Sequence, residues 1–141
     1  MKKRILLFAV ILAVAACSRP SGERGYHRPE GPYIVDAFTC RGVSQDGQPV
    51  GVTDYFLRDD DITLWILWDN YTDYHQVNVD WITPNGSTYF SDSLVIDGDG
   101  VVVTYFTLHT DPFIPTGEWE AAIWLDGAFE RSILFFIDEQ K

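Results

Sequence analysis

Asp126-Gly127 stands directly between two runs that alternate apolar and polar side chains, Trp119 to Leu125 and Ala128 to Ile137. No other feature restricts the fold as much. Glycine readily adopts the positive φ that a tight two-residue hairpin turn needs. A period of two then puts successive side chains on opposite faces. Trp119, Ala121, Ile123 and Leu125 share one face, and Glu118, Glu120, Ala122 and Trp124 share the other. The charged face must meet water, so Trp119 belongs in a core and Trp124 does not. On the second strand Ile133, Phe135 and Ile137 point inward, which turns Leu134 and Phe136 outward with Trp124.

The same texture extends back to residue 33. Short runs rich in Val, Ile, Thr, Phe, Tyr and Trp predict strands near Tyr33 to Cys40, Val50 to Phe56, Ile62 to Trp68, Gln76 to Thr83, Ser87 to Phe90 and Val101 to His109. Pro84-Asn85-Gly86-Ser87, Asp46-Gly47-Gln48-Pro49 and Asp97-Gly98-Asp99-Gly100 are the expected reversals between them. No window carries a helical period, and nothing alternates helix with strand as a parallel α/β sheet would. The expectation is an all-β domain: a two-sheet antiparallel sandwich of seven to eight strands. Val79-Asp80-Trp81 before Pro84-Asn85-Gly86, Thr116-Gly117-Glu118-Trp119 leading through Ile123 to Asp126-Gly127, and Phe135-Phe136-Ile137 as a last strand carry a resemblance. The pattern, over roughly residues 33 to 138, resembles the immunoglobulin-like and fibronectin-III-like modules of bacterial envelope proteins. The resemblance implies binding or spacing and no chemistry. Immunoglobulin domains pair two cysteines across their sheets, whereas this region has Cys40 alone. Cys40 ends an apolar run and is expected as a buried, inert thiol.

The amino terminus carries a different message. Lys2-Lys3-Arg4, an apolar run from Ile5 and small residues before a cleavage point are the parts of a secretory signal. The run is about a dozen residues, short of the roughly 20 that a spanning helix needs. Val14-Ala15-Ala16-Cys17 resembles the lipobox of bacterial lipoproteins. That resemblance implies cleavage before Cys17, acylation of its thiol and amine, and a membrane tether. Ser18 in the next position resembles the residue that permits sorting to the outer membrane of a Gram-negative cell. Residues 18 to 31, with Pro20, Ser21, Gly22, Gly25, Pro29 and Gly31, read as a flexible linker. The expected organisation is a signal peptide over 1–16, an acylated cysteine and tether over 17–31, and the sandwich over 32–141.

Charge narrows the partners. The chain has 21 acidic and 10 basic residues, and from Pro32 onward the basic ones are only Arg41, Arg58, Arg131 and Lys141. A folded domain of that sign is repelled by phosphate backbones, so nucleic acid is excluded as a partner.

Two binding surfaces are expected. Ile82, Trp124, Leu134 and Phe136 share the outer face of one sheet, bordered by Asp80, Glu118 and Glu120, as an apolar patch suited to a protein partner. Trp65 and Trp68 lie on opposite faces of one strand, one expected in the core and the other partly exposed near Tyr71 and Tyr74, where it offers a stacking surface for a glycan or peptidoglycan with Asp69, Asn70 and Asp73 as polar groups. No metal or cofactor is expected. Asp97-Gly98-Asp99-Gly100 lacks the remaining positions of a calcium loop, Asp59-Asp60-Asp61 reads as a solvated reversal, and the histidines are isolated. No nucleophile elbow, phosphate loop or paired-carboxylate motif suggests an enzyme. The functional expectation is a lipid-anchored envelope module that binds or spaces a protein partner, with sugar binding as the alternative.

Overall fold

The computed structural model describes residues 29–139. The expected signal peptide, the expected acylation site Cys17 and most of the expected tether lie outside the described residues. Within them the chain is all β, with seven strands and no helix: β1 (Tyr33–Val43), β2 (Pro49–Val52), β3 (Tyr55–Leu57), β4 (Asp61–Ile82), β5 (Thr88–His109), β6 (Gly117–Leu125) and β7 (Ala128–Asp138).

Three turns form where their residues predict. Asp126 and Gly127 both take positive φ, 49° and 81°, and close the β6–β7 hairpin with Leu125 opposite Ala128. Thr83 N–H donates to Ser87 O and Gly86 N–H to Thr83 O, closing the β4–β5 hairpin. Ser44 N–H donates to Gln48 O between β1 and β2.

The fourth expected reversal is corrected. Asp97-Gly98-Asp99-Gly100 lies inside β5, and the polar stretch Asp69 to His75 lies inside β4, so four expected strands merge into two of 22 residues each. The physical reason is that the two turn-like stretches are partners. Tyr71 pairs with Gly100, Thr72 with Asp99, Asp73 with Gly98 and Tyr74 with Asp97, beside a register shift between Trp68 and Tyr71. Asn70 and Asp73 take positive φ, a conformation that Asn and Asp tolerate better than most residues. Conformational freedom that would have reversed the chain instead bends a continuous two-stranded ribbon.

The bend organises everything else. The first half of β4 pairs with β1, its second half pairs with β6, and β5 follows it throughout. Where two separate sheets were expected, all seven strands join one hydrogen-bonded network in the order β2-β1-β4-β6-β7-β3, with β5 on β4. The network curls so that the inward residues of its two arms meet. Ile62, Leu64, Ile66 and Trp68 from one arm share a single core with Val77, Val79, Trp81, Trp119, Ile123, Phe135 and Ile137 from the other. Phe135 is central: Trp81 and Phe56 meet its ring edge-on at 5.9 and 6.0 Å, and Trp119 lies more nearly parallel at 6.2 Å.

The expected strand Val50 to Phe56 is likewise divided. Thr53 N–H donates to Thr39 O, and the chain then leaves β1, so that β2 pairs antiparallel with β1 while β3 pairs parallel with β7. Cys40 is fully buried, and burial pushes its thiol pKa up, which keeps it in the unreactive protonated form.

Gly98 lies in the bend, where a side chain has no room. A Cβ there would lie 2.6 Å from Val102 Cγ2 and 3.0 Å from the Tyr71 ring, whereas a Cβ at Gly42 would meet nothing. Gly98→Ala is expected to cost about 1–3 kcal/mol through overpacking. Gly42→Ala should be nearly neutral, and urea unfolding of the two variants makes the comparison.

Candidate functional site

The outer face of the β4–β6–β7 arm holds all four residues of the expected protein-binding patch. Inward burial is as the alternation requires: Trp119, Ala121, Ile123, Leu125, Phe135 and Ile137 are in the core, whereas Leu134 and Phe136 are 54% and 41% exposed. Ile82 and Trp124 are partly exposed. The register, however, separates them. Glu120 is the cross-strand partner of both Ile82 and Leu134 and so stands between them. Ala122 and Ser132 form the next row, with the Ser132 hydroxyl donating to Glu120. Beyond that row Trp124 packs edge-on against Phe129 at 5.4 Å. The four residues share a face without forming one continuous patch, and this corrects the expectation.

Leu134 and Phe136 instead join a surface built from elsewhere in the chain. Parallel pairing of β3 with β7 sets Tyr55 beside Phe136, with the rings stacked at 6.0 Å and nearly parallel. Tyr55 Oη donates to Asp138 Oδ2 at 2.6 Å, and this bond raises the Tyr55 pKa above its ordinary value. Asp54, Tyr55, Glu118, Leu134, Phe135 and Phe136 line an open hollow of about 280 Å³. A second hollow shares Asp54 and Leu134 and continues over Ile133, Val52 and Phe38. The result is an apolar strip with Asp54, Glu118 and Asp138 around it. Tyr55 and Asp54 had no signal as site residues, because their place is set by a partner strand some eighty residues away.

The expected glycan surface is corrected. Trp68 is fully buried and donates its indole N–H to Thr104 Oγ1 at 2.9 Å. Trp65 is 7% exposed, stacked on Phe38 at 5.1 Å, with its N–H on Gly47 O. Neither ring presents a free face to a sugar. The neighbouring polar groups are also engaged: Tyr33 Oη donates to Asp69, and Asn70 Nδ2 donates to the carbonyls of Pro29 and Gly31. Asp73, Asp97 and Asp99 line a hollow at the ribbon bend. Among the described residues no group of three or more His, Cys, Asp or Glu side chains is placed to hold a metal ion.

The hairpin that carries Trp124 is clamped to β4. Asp126 N–H donates to Gln76 O, Gln76 N–H donates to Asp126 Oδ1, and His75 Nδ1 lies 2.6 Å from Asp126 Oδ2. The bond with His75, and then the one from Gln76, hold the Asp126 carboxyl below its ordinary pKa.

No family model matches the chain, and no curated protein matches it. Solved structures do. The C-terminal domain of wzt aligns at 14% identity over 81% of each chain, with a TM-score of 0.55. The Pseudomonas fluorescens alkylpurine DNA glycosylase AlkC, solved on DNA containing an abasic site analog, aligns at 8% identity with a TM-score of 0.51. That match covers 79% of this chain and 31% of the glycosylase. An immunoglobulin-like protein from Pseudomonas aeruginosa aligns at 13% identity over 76% of this chain and 96% of its own, with a TM-score of 0.46. At these identities the first two likenesses show a shared β fold and nothing about activity.

Because the folded-state pKa of Asp126 lies below its ordinary 3.8, its contribution to stability is complete above that value. It is lost as pH falls through the lowered one. Asp126→Asn is therefore expected to lower stability at neutral pH and to approach the parent as pH falls through the lowered pKa. Denaturant titrations across that range measure the difference.

Proposed function

We propose that this chain is a lipid-anchored cell-envelope module whose immunoglobulin-like β domain binds a protein partner. The partner docks on the apolar strip around Leu134, Phe136 and Tyr55. The observation that carries the reading is the exposure of Leu134 and Phe136 beside a stacked Tyr55, within a rim of Asp54, Glu118 and Asp138. An apolar centre with a polar rim is the anatomy of a protein-binding surface, and the acidic rim favours a partner that is basic around its own apolar contact.

The anchor part of the reading rests on the resemblance of Val14-Ala15-Ala16-Cys17 to a lipobox and on the basic and apolar segments before it. Two or more acyl chains on Cys17 would hold the module stably, and Ser18 favours the outer membrane if the cell is Gram-negative. The module is read as a binder and not as an enzyme: the hollows on this face are open, and their polar groups form a rim around apolar side chains. The buried rings of Trp65 and Trp68 remove the specific support that sugar binding had.

Two outcomes test the proposal. Cys17→Ala is expected to shift the protein from the membrane to the soluble fraction of fractionated cells; retention in the membrane would refute acyl anchoring. A photoreactive phenylalanine analogue at position 136 should give one dominant adduct in native membranes, and Leu134→Lys should suppress it. The same adduct from a probe at Asp46, on the exposed turn between β1 and β2, would refute the surface.

A further inference from the structure

Strand β5 is an edge for its whole length. Among the described residues its one strand partner is β4, so one row of its backbone N–H and C=O groups has no ladder partner. Proteins ordinarily protect such edges with lysine, proline, bulges or inward charges, because an unpaired edge is a template for another strand. The segment Val101-Val102-Val103-Thr104-Tyr105-Phe106-Thr107-Leu108 has none of these beyond the β4 register shift opposite Val101 at its start. It is a run of strand-forming residues without charge, proline or glycine. Its inward side chains Thr104, Phe106 and Leu108 are buried, while Val101 and Tyr105 stand 66% and 52% exposed on the outside.

The space beside this edge is also shaped. The two ends of β5 face each other across a hollow of about 390 Å³, lined by Tyr89 and Phe90 on one side and Thr107, Leu108 and His109 on the other. A strand added next to 101–108 would bring the side chains at its end beside Thr107 and Leu108 to this hollow.

Charge selects the occupant. Neither β4 nor β5 contains a Lys or Arg, and acidic groups flank the unprotected run: Asp97 and Asp99 precede it, and Asp111 follows it. A second copy added antiparallel about the middle of this run would bring Asp97 and Asp99 of each chain towards Asp111 of the other, a like-charge arrangement at both ends. We infer that the open edge of β5 over 101–108 is a strand-addition site for an extended segment of a partner polypeptide. That segment carries alternating apolar side chains, with Lys or Arg at its ends. Main-chain hydrogen bonds would supply affinity, and the hollow and the flanking carboxylates would supply selectivity. This surface is distinct from the Leu134 and Phe136 strip.

The test uses the full chain in detergent micelles and a synthetic ten-residue peptide of alternating valine and threonine with two lysines at each end. Bound peptide should slow deuterium exchange at the amides of 101–108, and its affinity should fall as salt rises. A counterpart with glutamates at its ends should bind at least about tenfold more weakly. The double variant Val101→Lys, Tyr105→Lys replaces two exposed side chains and should weaken the lysine peptide by about tenfold or more, with its circular dichroism unchanged. Leu134→Lys should leave peptide binding as it was, which separates this inference from the surface proposed above. Equal binding of the two peptides would overturn the inference, as would binding without protection of 101–108. Self-association of the full chain through this edge, seen by sedimentation and by the same protection without peptide, would assign the site to a second copy and overturn the occupant.

Discussion

The bent pairing of β4 with β5 is the interaction on which the rest of the molecule depends. A straight ribbon of this length would be a flat pair with one arm's apolar residues far from the other's. The bend at Asn70, Asp73 and Gly98 brings Trp68 and Ile66 onto the same core as Trp81 and Trp119. One ribbon thereby serves as a wall for both arms, and β1 and β6 can each pair with a different half of the same strand. The polar residues of the bend are thus structural: they allow one continuous sheet to enclose a core that two sheets would otherwise be needed to make.

Within that enclosure the large aromatic side chains divide by role. Trp68, Trp81 and Trp119 are fully buried, and Trp65 is covered by Phe38. Burial of each large apolar side chain contributes roughly 1.5–3 kcal/mol, so core formation has first claim on such residues. Part of the aromatic surface left to solvent lies at the seams, at Tyr55 and Phe136 where β3 meets β7, and at Tyr89, Phe90 and Tyr105 along β5, while Tyr74, Phe113 and Phe129 are exposed elsewhere. Carboxylates surround both seams. Both surfaces proposed above lie at these borders of the sheet.

What could be read from the sequence follows the range of the interaction. The β6–β7 hairpin was legible to the level of side-chain direction, because Asp126-Gly127 and a period of two are local facts. The outward placement of Leu134 and Phe136 followed from them. The bend was not legible. Asp, Asn and Gly suit both a chain reversal and a ribbon bend, and only the position of the partner strand separates the two. The break in the expected patch is a matter of three-strand register, since Glu120 interrupts it by lying opposite Ile82 on one side and Leu134 on the other. Trp65 and Trp68 illustrate the same limit: alternation put them on opposite faces, but the cover over Trp65 comes from Phe38 and the Gly47 turn.

The crossover at Thr53-Asp54 carries a consequence for the order of events in folding. The β6–β7 hairpin closes between adjacent residues, whereas the bond from Tyr55 to Asp138 joins positions 83 apart in the chain. Contacts of such separation carry a larger loop-closure entropy and slow a fold dominated by them. The parallel docking of β3 is therefore expected among the last steps, after β7 already has β6 as its template. Until then Phe136 lacks Tyr55 beside it, and the apolar strip is incomplete. The strip thus reports complete folding, and a chain arrested before that step would present only half of it.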